Sequence, residues 1–147
     1  MHRVPAKSLP LPFPTAEERR RSRIAGALAR GFVSSGHSRG TDPHVASLAA
    51  HAFVERHLVV GCSEESFACF DVPAFAAWLP SEALLHPELL PALVEAWIGF
   101  THFLVDSERL DEVSGARLRR DLYLCEPGLV AALADRYASL VSSLEGA

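Results

Sequence analysis

The sequence predicts an all-α fold, on three observations. The chain contains no Asn and no Asn-Gly or Asp-Gly hairpin turn. It has no clean alternation of apolar and polar residues, and its apolar residues recur at helical spacing in several segments. At 147 residues with 49% hydrophobic and 22% charged residues, it can bury a real core and is not disordered by composition. The expected architecture is a compact bundle of five or six helices around a central helix at about 89–105.

Taken in order, residues 1–14 read as an extended leader, because Pro5, Pro10, Pro12 and Pro14 favour polyproline geometry. Residues 15–147 read as a single helical domain. Thr15 followed by Glu18 forms a capping box that opens a helix to about Phe32, with Ile24, Leu28 and Phe32 inward. The Ser- and Gly-rich stretch 34–41 is a loop. Asp42 caps a second helix, Pro43 takes its first turn, and Gly61 ends it. The spacing assigns Val45, Leu48, Ala49, Ala52, Arg56 and Val59 to its inner face. Cys62–Phe70 has no regular pattern. Asp71 caps a short helix that ends at Pro80 and presents Phe75, Trp78 and Leu79.

The run Pro91–Val105 is the most apolar of the chain. Leu93, Val94, Trp97, Ile98, Phe100, Leu104 and Val105 fill one arc, and Ala92, Ala96 and Gly99 lie opposite with Glu95 and His102. Large residues on one face and small ones on the other describe a helix packed on two sides. Fifteen residues with two polar groups inside are too few to span a bilayer. Trp78, Trp97 and Phe100 are the expected core anchors. A polar helix with Leu110, Val113, Leu118, Leu122 and Tyr123 follows. Pro127 interrupts it, and a last helix carries Leu129, Val130, Leu133, Tyr137 and Leu140.

Charge is uneven. Up to Gly40 there are eight basic residues against Glu17 and Glu18; the remainder has six Arg against sixteen acids, and the whole chain carries −4. Arg19, Arg23 and Arg30 share one face of the first helix, a candidate anion-binding face. The acidic body and the lack of Asn or Gln in the second helix disfavour nucleic acid as a partner, and docking of the basic segment on its own body is the simpler expectation. Three cysteines without a Cys-x-x-Cys spacing support neither a disulfide framework nor a four-Cys zinc site. With no signal-peptide core at the start, the expected location is cytoplasmic.

His51 and Glu55, four apart, are the only candidate metal pair singled out, with His44 too far along the axis and His57 off the stripe. No metal and no cofactor is expected. Glu95 and His102 are the candidate lining of a small-enzyme pocket; seven residues apart, they need a substrate or water between them. No nucleophile elbow or phosphate-cradling glycine loop is present, so no catalytic residue is named.

The succession RIAGALARGFVSS, LAAHAFVERHLV, VPAFAAWLP and LLPALVEAWIGFTHFL, with a trailing CEPGLVAAL, resembles an uncharacterised helical domain of actinobacterial hypothetical proteins. Those domains sometimes stand beside plasmid ORF-3-like or SEC-C segments. The resemblance covers about residues 20–135 and implies a helical fold without an assigned activity. Where such domains often carry a basic turn after Trp-Leu-Pro, this chain has Ser81-Glu82-Ala83, so no anionic partner is implied there. The sequence therefore points to a non-catalytic protein-interaction or accessory domain with an unknown protein partner and no membrane. A nucleic-acid-binding regulator is the second expectation, and a small enzyme the third.

Overall fold

A computed structural model describes residues 13–82 and 85–146, so most of the predicted leader lies outside the described residues. Within them the fold is all-α: α1 (Ala16–Ser34), α2 (Pro43–Val59), α3 (Val72–Glu82), α4 (Leu90–Asp106) and α5 (Glu112–Glu145), with short 3-10 turns at Gly36–Ser38 and Pro87–Leu89. Side chains start four of the helices by accepting orphan amides, Asp71 taking that of Ala74 at the start of α3. Thr15 takes the Glu18 amide, Asp42 takes those of His44 and Val45, and Asp111 takes that of Ser114.

The helices pack as a succession of neighbours: α1 on α2, α2 on α4, α4 on α5, and α5 on α3. Lying between α2 and α5, α4 buries Leu90, Leu93, Val94, Ala96, Trp97, Phe100, Thr101 and Leu104. The Trp97 indole donates to Ala49 O at 2.8 Å, which ties α4 to α2 and satisfies the one polar atom of a buried ring. Gly99 is required by a close approach, since a Cβ there would lie 2.5 Å from His37 O. With the preceding 3-10 turn, the apolar segment Pro87–Asp106 reaches 20 residues, enough by length and composition to cross a bilayer, which corrects the shorter reading; its largest side chains are packed against other helices.

The core is aromatic. Phe53 stacks on Phe70 at 3.7 Å between centroids, and Phe75, Phe100 and Phe67 surround it. Phe67 and Phe70 come from the irregular segment between α2 and α3, which is anchored by Phe67 N donating to Arg109 O at 2.8 Å and Arg117 Nη2 donating to Ala68 O at 2.8 Å.

Four local expectations are corrected. The inner face of α2 is Ala46, Ala49, Ala50, Phe53, Val54, His57 and Leu58, while Leu48 and Val59 are about half exposed. The apolar residues of α2 surround most of the helix, so periodicity alone chose the wrong arc. Pro80 does not end α3, which continues to Glu82. Pro127 does not divide α5, which runs unbroken for 34 residues, about 51 Å at 1.5 Å per residue. A helix-interior proline costs roughly 3 kcal/mol. Leu118 and Leu122 before it and Leu129 and Leu133 after it share one face and are all buried, and about 1.5–3 kcal/mol for each leucine offsets that cost. Finally, Trp97 and Phe100 are buried as expected, but Trp78 is only partly buried. Arg56 lies over its ring at 5.0 Å to the centroid, a cation–π contact at the edge of a groove.

Candidate functional site

The chemistry-bearing cluster of the molecule forms where α2 ends. Gly61, with φ +92°, turns the chain back in a conformation other residues rarely adopt. The reversal is closed by Gly61 N donating to Leu58 O at 3.0 Å and Cys62 N donating to His57 O at 3.2 Å. It carries Cys62 back toward His57, and the turn ahead of α3 brings Cys69 to the same place. A ring nitrogen of His57 and the sulfurs of Cys62 and Cys69 all lie within 4.8 Å of one another. Among the described residues, this is the one group of three or more such side chains close enough to share an ion.

His57 is 1% exposed and stacks on Phe67 at 4.0 Å. Its Nε2 contacts two carbonyl oxygens, Ser63 O at 2.7 Å and Ser66 O at 3.0 Å. Carbonyls only accept, so Nε2 carries the proton and Nδ1 bears the lone pair. Nδ1 is buried with no hydrogen-bond partner among the described residues. Burial holds the His57 pKa below its ordinary value, against the opposing pull of the two carbonyls, so the ring stays neutral. The Cys62 and Cys69 thiols share a hydrogen bond, with 2.8 Å between the sulfurs. That hydrogen bond, then desolvation and the neighbouring sulfur's charge, pushes the Cys62 thiol up to about 11. His57 and Cys69 also line a cleft of about 220 Å³ with Arg56, Asp71 and Ala74.

Sequence reasoning missed this group. His57 lies off the His44–His51–Glu55 stripe and the cysteines lack a close Cys-x-x-Cys spacing, so neither pattern points to the group. The available signal was a histidine in the last turn of a helix, a helix-ending glycine, and two cysteines flanking an irregular segment.

The predicted sites fall elsewhere. His51 Nδ1 and Glu55 Oε1 are 3.7 Å apart and line an open groove of about 570 Å³ with His44, Leu48 and Trp78. Glu95 and His102 are both exposed on α4 and line neither this groove nor the His57 cleft. His102 instead stacks on His37 at 6.2 Å, and His37 Nε2 pairs with Asp106, so this cluster clamps the 3-10 turn to α4. Desolvation, then Arg119 and His37, lowers the His102 pKa, while Asp106 opposes the shift. Arg19, Arg23 and Arg30 are exposed, as expected for a solvent face. Among the described residues, Arg20 is the α1 arginine that reaches an acid of the body, with Glu64 at 3.8 Å, besides its contact with Glu17. Cys125 is partly buried, donates to Leu122 O at 3.3 Å, and has its pKa raised by burial, which describes an unreactive thiol.

Comparison with protein-family models, with curated proteins and with solved structures returned no match. The likeness to actinobacterial helical domains thus rests on its short motifs alone.

Proposed function

We propose that the chain is a non-catalytic interaction domain that docks through the distal half of α5. One observation carries this reading: the stripe Leu118, Leu122, Leu129 and Leu133 is buried, and the same face continues as Tyr137, Leu140 and Leu144, which are exposed. Tyr137, Leu140 and Leu144 themselves line a cleft of about 310 Å³, together with Leu85, His86 and Val141. A contiguous apolar face of this kind on a folded domain marks an interaction site more often than an isolated exposed leucine does.

The occupant is a second copy of the same helix face. Past Pro127 the helix has one basic residue, Arg136, against Asp135 and Glu145. Its surface therefore offers little attraction to a strongly charged partner and little repulsion to itself. An isologous pair covers the same apolar face on both copies. Sedimentation velocity and light scattering on the full chain across a wide concentration range are expected to show a dimer. Leu140→Asp with Leu144→Asp should give a monomer of unchanged helical circular dichroism. A wild-type protein that remains monomeric at the highest concentration overturns the pairing.

The rival nucleic-acid reading has the exposed arginines of α1 in its favour. Three phosphate contacts by Arg19, Arg23 and Arg30 would give a salt slope of about −2.7 on duplex DNA. The acidic body opposes them, and binding to labelled oligonucleotides is expected to be no tighter than about 10⁻⁴–10⁻⁶ M at physiological salt. Submicromolar binding that disappears in the triple Arg→Ala variant would replace the interaction reading by this one.

A further inference from the structure

We propose that His57, Cys62 and Cys69 form a binding site for a thiophilic divalent cation of the zinc class, held by two thiolates and the imidazole Nδ1. The donor set decides the metal class. Thiolate and imidazole together suit Zn²⁺, whereas Mg²⁺ and Ca²⁺ take oxygen donors. His57 decides between a metal and a disulfide. A Cys62–Cys69 disulfide would use both sulfurs and leave the buried lone pair of Nδ1 without a role. A cation uses all three groups and gives that lone pair its partner.

Several features prepare the site. The two carbonyls on Nε2, Ser63 O and Ser66 O, fix the ring orientation and the tautomer that presents Nδ1. A metal-ligating histidine commonly has such a second-nitrogen contact. The cluster stands at the C-terminal end of α2, the negative end of its dipole, which favours a cation. Arg56 lines the adjoining cleft, but its guanidinium is stacked on Trp78. Sulfurs bound at about 2.3 Å to a tetrahedral ion lie roughly 3.8 Å apart, against 2.8 Å between the two thiols. Binding thus replaces their shared hydrogen bond and opens the irregular loop by about an ångström. The fourth position is left for water or the Asp71 carboxylate, which shares the cleft with His57 and Cys69.

The reaction is a ligand exchange without redox change. Each thiol gives its proton to solvent, Nδ1 contributes a lone pair it already holds, and one Zn²⁺ takes up two thiolates with release of two protons. Affinity should therefore fall steeply on acidification. Without the metal, the proximity of the sulfurs opposes ionisation; with it, the divalent charge reverses the sign of that effect.

The test is titration of reduced, metal-free full-length protein with Co²⁺ and with Zn²⁺. One equivalent of Co²⁺ should produce near-ultraviolet thiolate-to-cobalt charge transfer and the intense visible bands of a tetrahedral site, and Zn²⁺ should displace it. Zn²⁺ should shield Cys62 and Cys69 from alkylation and leave the labelling of Cys125 unchanged. Cys69→Ser, at an exposed position, should keep the helical circular dichroism. It should weaken binding more than about 100-fold, since losing even a group that supports a ligand costs roughly 10–100-fold. Absence of stoichiometric binding under reducing conditions overturns the proposal, as does binding that Cys62→Ser and Cys69→Ser leave unchanged. A protein that only forms a Cys62–Cys69 disulfide, with no Zn²⁺ affinity when reduced, overturns it in favour of a redox pair. Dimerisation does not enter these readouts, so the site and the α5 interface stand or fall separately.

Discussion

α4 and the distal half of α5 are both helices with an apolar face, and they meet opposite fates. α4 lies between α2 and α5 and buries eight residues, with Trp97 hydrogen-bonded across to α2. α5 has twice its length, and its apolar face is covered as far as Leu133 and exposed beyond it. The difference teaches that helical amphipathicity states which face wants cover and is silent on whether the fold supplies it. In α4 the cover is the protein itself. In distal α5 it is the proposed second copy.

The largest expected effect tests the covered side. Trp97→Ala removes a ring that is fully buried and loses the bond to Ala49 O, so it should cost about 3–5 kcal/mol by denaturant titration. A variant with an unchanged unfolding curve would break the description of α4 as a core helix.

A matched pair on α5 sharpens the comparison. Leu133 is 1% exposed and Leu140, on the same face two turns on, is 41% exposed. Leu133→Ala should cost about 2–5 kcal/mol. Leu140→Ala, measured in dilute solution where pairing is absent, should stay within about 0.5 kcal/mol. Equal costs would mean that the distal face is covered within the monomer.

The smallest effect concerns pH and His57. Its folded pKa lies below the ordinary 6.5 because of burial, so below about pH 6.5 the unfolded chain binds the extra proton first. The stability contributed by the neutral ring is thus fully present above about pH 6.5. It is lost as pH falls toward the folded value, at no more than about 1.4 kcal/mol per pH unit. In metal-free protein, the melting temperature should decline from pH 7 to pH 5. His57→Phe, which keeps a ring against Phe67, should flatten that decline relative to wild type. An unchanged slope would show that His57 does not titrate across the unfolding transition.

Much of the fold was legible because its signals are local. Thr15, Asp42 and Asp71 accept amide bonds within three residues of themselves, so a capping residue and its spacing carry the information. The same holds for Gly61 at the end of α2, where the backbone itself demands a positive φ. The errors came where distant packing overruled a local rule. Pro127 is a helix breaker by its own chemistry, yet four leucines on one face of α5 hold both sides of it in one helix. On α2 too many positions were apolar for periodicity to choose the arc, and contacts with α1 and α4 chose it.

The candidate site was the least legible part. Its residues are His57, Cys62 and Cys69, spaced by five and seven in a segment with no repeat. By itself, the sequence determined the helical class, the caps and the small- and large-residue faces of α4, because hydrogen bonds near in sequence and side-chain volume set these. Only the tertiary structure decided that a loop of irregular pattern sends Phe67 and Phe70 into the core. Burying those rings draws the intervening chain across the end of α2, and this brings two sulfurs against a buried imidazole. No local preference encodes that meeting, since its driving force is the removal of distant aromatic surface from water.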